Sequence, residues 1–139
     1  MQLEPKAIYQ YDARVEKIID GDTIEFSVDL GFHLYFREHM RLAHYAAPEI
    51  KGPKRPLGII AKQKLEELLE PGTIVTIQSH KTEKFGRWLA EVAWNGGTLA
   101  EFLIKEGYGL PYDNQRGEKN PSFDPLKPYP LTADKDKAE

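Results

Sequence analysis

Two β-prone runs, residues 13–19 (ARVEKII) and 22–28 (DTIEFSV), flank Asp20-Gly21. A glycine free to take a positive φ between two such runs predicts a β-hairpin. A third strand is expected over about 33–45, where Leu34, Phe36, Met40 and Leu42 are apolar. The charged Arg37-Glu38-His39 segment inside it predicts a bulge or bend. The proline-rich stretch from Pro48 to Pro56 reads as a surface loop. The period then becomes helical: Leu57, Ile60, Ala61, Leu65, Leu68 and Leu69 share one face, with Lys62, Lys64, Glu66 and Glu67 on the other, and Pro71-Gly72 ends the helix. Residues 73–79 (TIVTIQS) and 88–94 (WLAEVAW) supply two more strands around a charged turn that ends in Gly86-Arg87. After the turn signal Asn95-Gly96-Gly97, Thr98 to Glu106 forms a short amphipathic helix with Leu99, Phe102 and Leu103 on one face and Gly107 as its cap. From Pro111 onward the prolines at 111, 121, 125, 128 and 130 and the terminal ADKDKAE predict an irregular wrap and a frayed tail.

Five short strands with one longer helix among them and a second helix after the last describe a mainly β, α+β chain. A five-stranded barrel of the oligonucleotide/oligosaccharide-binding (OB) type with two attached helices fits this order. A mixed α+β sheet fits it too, and local patterning does not choose between them. Ile18, Ile19, Ile24, Phe26, Trp88, Leu89 and Val92 are the expected core. With 139 residues and 40% hydrophobic content, one domain is expected at residues 13–113, between an extension at 1–12 and the wrap and tail at 114–139.

Charge and composition narrow the functional classes. The net charge of −3, from 22 acidic and 19 basic side chains, argues against a broadly basic nucleic-acid wrapper. A local cluster can still bind phosphate, and Lys51, Lys54 and Arg55, followed by Lys62 and Lys64, make one. There is no cysteine, so disulfide and thiol chemistry are absent, and the four histidines have no zinc-finger spacing. His44 is read as a packing or hydrogen-bonding group that could face the same cleft as Ala46 in a regular strand. No basic segment feeds an apolar one near Met1, and no apolar run approaches the roughly eighteen residues of a membrane span. A cytoplasmic, monomeric protein without membrane partners is expected.

Taken singly, Asp22 is an ordinary turn residue, Glu49 a solvated loop acid, and Arg41 and Arg87 surface cations. Together they are the groups that phosphodiester chemistry needs. Guanidinium forks neutralise the growing charge on phosphate oxygens, a carboxylate holds a hard cation, and a second carboxylate orients water.

Four segments, VEKIIDGDTIEF, MRLAHYAAPEIKGP, TEKFGRWLAEV and LAEFLIKEGYG, resemble the staphylococcal (thermo)nuclease-like family in order and spacing over about residues 13–113. The resemblance implies an OB-type barrel and a calcium-dependent endonuclease, a hydrolase that cuts DNA and RNA, single-stranded substrates included. It assigns Asp22 as metal ligand, Glu49 as the base acting on water, and Arg41 and Arg87 as the grip on the scissile phosphate. It also points to Lys84, Phe85 and Tyr112 as substrate contacts, with Phe85 where the family commonly has tyrosine, and to Tyr108 beside the nucleotide or on the barrel rim. One position departs from the pattern: Ala46 stands where the family has a second metal-binding aspartate, which weakens the expected calcium site. A noncatalytic nucleic-acid-binding domain using the same cleft, or a protein-interaction domain, is the alternative.

Overall fold

The computed structural model describes residues 9–80, 87–113 and 118–119. Strand β1 (Gln10–Asp20) turns into β2 (Thr23–Asp29), which pairs with β3 (Tyr35–Leu42). The short β4 (Tyr45–Ala46) leads through the Pro48 loop to helix α1 (Arg55–Leu68). Strands β5 (Ile74–His80) and β6 (Trp88–Trp94) follow, then β7 (Gly97–Thr98), helix α2 (Leu99–Lys105), β8 (Leu110–Asp113) and β9 (Glu118–Lys119).

The order β3-β2-β1-β5-β6 closes on itself because β3 also pairs with β6, in parallel, through Met40–Trp88, Arg41–Leu89 and Leu42–Ala90. The result is a five-stranded barrel of the OB type with two attached helices. Its interior holds Val15, Ile18, Ile24, Phe26, Leu42, Ile77 and Val92, with Leu65 and Leu69 of α1 and Leu99 and Leu103 of α2 against them. Among the described residues no helix is long and apolar enough to cross a membrane.

Several local expectations change. β3 pairs with β2 in unbroken register from Thr23–Arg41 to Asp29–Tyr35, so the expected bulge at Arg37-Glu38-His39 is absent. Those charges need no bulge because Arg37 and His39 point outward onto Glu25, at 2.9 and 3.1 Å. The register breaks fall in β1 instead, between Val15 and Lys17 and between Ile18 and Asp20. Trp88 is 45% exposed and meets Phe36 edge to face, so it leaves the expected core. Pro111 opens no irregular stretch, since it lies within β8, where it pairs with Tyr45. The rest of the expected proline-rich course lies outside the described residues, apart from β9.

The helix ends follow local chemistry. α2 starts with a reciprocal capping box, Thr98 accepting from the Glu101 N–H and Glu101 accepting from the Thr98 N–H. It ends in a Schellman turn in which Gly107 takes φ +86° and Tyr108 N–H donates to Leu103 O at 2.9 Å.

Candidate functional site

The Asp20-Gly21-Asp22 turn is the first wall of the site. Asp22 N–H donates to Asp20 Oδ1 at 3.1 Å, and Thr23 Oγ1 donates to Asp22 Oδ1 at 3.1 Å. Asp22 Oδ2 accepts the Ala47 N–H at 3.0 Å and lies 3.6 Å from Arg41 Nη2. One carboxylate thus ties the β1–β2 turn to the segment that follows β4. Gly21 works differently from the expectation: it is not among the positive-φ glycines, and what it provides is space. A Cβ there would stand 2.8 Å from the Cβ atoms of both Ala47 and Ala61, so only glycine lets the turn lie against β4 and α1.

Arg41 sits near the C-terminal end of β3, bracketed by Thr23 of β2 and Leu89 of β6, and is buried to 8% exposure. Its Nη2 donates to Tyr45 O at 3.4 Å, and its guanidinium lies 4.4 Å over the Tyr112 ring. Tyr112 is placed by β8 and donates its N–H to His44 O at 3.1 Å. Arg87 immediately precedes β6, and its guanidinium is held below its ordinary range by burial first and by the like charge of Arg41 second. Two guanidinium groups that disfavour one another form a ready seat for an anion.

The Asp22 carboxyl is pushed from an ordinary 3.8 up to about 7, by burial first and then by its hydrogen bond with Asp20. Arg41 and the Ala47 N–H pull the other way without cancelling this.

Glu49 is exposed on the loop after β4, and α1 backs that loop. Gly58 of α1 makes the approach possible, for a Cβ there would lie 2.6 Å from the Glu49 carbonyl carbon and 2.8 Å from Pro48 O. Arg55 Nη1 donates to Ile50 O at 3.1 Å and so braces the loop.

Asp20, Asp22, Arg41, Ala46, Ala47, Glu49, Lys51, Lys54, Arg87 and Tyr112 line a single open cleft of about 660 Å³. Ala46 is buried in β4 opposite Leu110 and presents only a methyl group to the cleft. Tyr108 is elsewhere: it packs against the core with Lys64 Nζ 5.8 Å from its ring, and Lys64 also meets Glu67 at 3.5 Å. Lys84 and Phe85 lie outside the described residues. His44 does not continue a regular strand; it occupies the turn before β4 at φ +64° and lies 3.9 Å from Glu91. Asp20 is a cleft residue to which the sequence reading gave no role, although the Asp-Gly-Asp spelling already placed two carboxylates on one turn.

A family profile described as staphylococcal nuclease homologue matches residues 39–138. This chain belongs to the staphylococcal nuclease homologue family. It is also similar to an uncharacterized protein of Bacillus anthracis, 31% identical over 110 residues, which cover 76% of this chain and 49% of that protein. The chain therefore spans about half the length of that relative. The family match begins at His39, so it contains Arg41, Ala46, Glu49, Arg87 and Tyr112, whereas Asp20 and Asp22 join the cleft through the fold.

Proposed function

We propose that this staphylococcal nuclease homologue hydrolyses phosphodiester bonds of single-stranded DNA or RNA with the help of calcium. The observation that carries this reading is the convergence of two guanidinium groups, Arg41 and Arg87, and three carboxylates, Asp20, Asp22 and Glu49, on one cleft.

The donor set is all oxygen, which suits a hard cation, and Asp22 with Asp20 would hold it. When bound, calcium would polarise the phosphate and acidify a water ligand. The remaining chemistry belongs to the chain. Arg41 and Arg87 bind the non-bridging phosphate oxygens and neutralise the charge that grows on them as water adds to phosphorus. Glu49 accepts the proton released by that water, and the bond from phosphorus to the leaving sugar oxygen breaks, that oxygen taking up a proton from solvent to leave as a hydroxyl. Tyr112 keeps the Arg41 guanidinium in plane and offers a flat face to a base, while Lys51 and Lys54 take neighbouring phosphates.

Ala46 favours a second reading, a binding domain without catalysis, because it adds no carboxylate to the cation site. The two readings separate in calcium-dependent cleavage of labelled single-stranded DNA by the chain, by Ala46→Asp, and by Glu49→Gln in each background. Cleavage by the chain that disappears with Glu49→Gln establishes the nuclease. Cleavage confined to Ala46→Asp, and lost again with Glu49→Gln, identifies a nuclease short of one ligand. No cleavage by any of them, despite saturable binding, would leave the binding domain standing.

A further inference from the structure

On the outer face of the barrel, three metal-ligating side chains from three separate elements converge. His80 ends β5, Glu91 lies on β6, and His44 occupies the turn between β3 and β4. Gln78 opposes Glu91 and His80 opposes Leu89 in the β5–β6 ladder, so His80 and Glu91 are diagonal neighbours on one face. His80 Nε2 lies 3.0 Å from Glu91 Oε2, and His44 Nε2 lies 3.9 Å from Glu91 Oε1. The two imidazole rings meet edge to face at 5.6 Å, and one ligand atom from each of the three residues falls within 4.8 Å of the others.

We propose that His44, His80 and Glu91 form a binding site for a divalent cation of the zinc class, which fastens the β3–β4 turn to β5 and β6. The chemistry of the donors selects the ion. Two imidazole nitrogens and one carboxylate oxygen suit zinc, cobalt or nickel and are a poor set for calcium, so this site is separate in kind from the oxygen-lined cleft. Ligand atoms of a tetrahedral zinc site stand about 3.4 Å apart, given bonds of about 2.0–2.1 Å. Here one ligand atom from each residue lies within 4.8 Å of the others, within a modest side-chain adjustment of that spacing. Only His44, 62% exposed at its side chain, has to swing inward, whereas His80 and Glu91 are each 31% exposed and already in contact. Three protein ligands leave the fourth position to water.

The backbone around His44 prepares the site. Ala43 N–H donates to Ala90 O at 3.0 Å, which sets the turn beside the residue preceding Glu91. His44 itself holds a left-handed φ of +64°, where glycine or asparagine is the usual occupant. Its carbonyl accepts the Tyr112 N–H, so a cation that secures this turn also secures the strand that sets Tyr112 over Arg41.

The test uses the chelator-stripped 139-residue chain titrated with ZnCl2 by calorimetry and with CoCl2 by visible absorption, with melting followed in parallel. One equivalent of Zn²⁺ should bind, raise the melting temperature and displace Co²⁺ from a tetrahedral, intensely absorbing site. His44→Asn keeps the left-handed turn and removes the imidazole, and His80→Ala removes the second ring. Each should weaken Zn²⁺ by at least about a hundredfold, more than the loss of a supporting partner usually costs. His39→Ala should bind Zn²⁺ as the parent does. No Zn²⁺ binding by the parent, or undiminished binding by folded His44→Asn and His80→Ala, would overturn the site.

Discussion

Asp22 is where burial and charge meet in one side chain. Its carboxyl is raised from 3.8 to about 7, so between those values the folded chain keeps a proton that the unfolded chain has released. The stability this group contributes is complete below about pH 4 and is lost as pH rises through about 7, with a flat course above. Asp22→Asn cannot release that proton, so its stability relative to the parent should rise from pH 4 to pH 7 in calcium-free urea melts, and an unchanged difference would mean that Asp22 titrates normally. Arg41 and Arg87 make a second prediction that does not depend on turnover. Replacing either with alanine should weaken binding of a nucleoside 3′,5′-bisphosphate by about 1.5–3 kcal/mol, the worth of a charge-assisted hydrogen bond. Arg41→Lys should recover little of this, because lysine has neither the planar fork nor the stacking on Tyr112. Calorimetric titration of the three variants measures both statements.

At the scale of elements, the site is an arrangement of close backbone approaches. Helix α1 carries Gly58 in its first turns, where alanine would ordinarily gain about 0.5–1 kcal/mol of helix stability. Here the added methyl group meets the Pro48 and Glu49 carbonyls, which are backbone and cannot swing aside. Gly58→Ala should therefore lower the melting temperature rather than raise it, and should impair whatever Glu49 does in the cleft. A higher melting temperature would show that the loop yields. The capping box of α2 offers a calibration remote from chemistry: Thr98→Ala should cost about 1 kcal/mol in denaturant unfolding and leave ligand binding unchanged.

Across the whole molecule, a net charge of −3 coexists with a cleft lined by Lys51, Lys54, Arg41 and Arg87. Binding of single-stranded DNA should thus be local and salt-sensitive, with the slope of log K against log salt falling by about 0.7 for each of these lysines replaced. Lys64→Ala should leave that slope alone, since Lys64 stands over Tyr108 and against Glu67, and titrations at several salt concentrations distinguish the two positions. The closed barrel is what gathers these charges. Parallel pairing of β3 with β6 places Arg41 beside Leu89 and so brings Arg87, two residues before Leu89, to the same end of the barrel.

Period and punctuation in the sequence by themselves determined the five barrel strands, both helices and their stops, because alternation, helical spacing, Thr98, Pro71-Gly72 and Gly107 act over a few residues. The spaced motifs also pointed to Asp22, Arg41, Glu49 and Arg87 as members of one site. Only the tertiary structure decided what depends on distant backbones meeting. It set the regular course of β3, the pairing of β4 with β8 through Pro111, the tight fit at Gly21 and Gly58, the share of Asp20 in the cleft, and the meeting of His44 with His80 and Glu91. Those contacts join residues far apart in the chain, and no local pattern of apolar and polar positions encodes which of them the closing barrel will bring together.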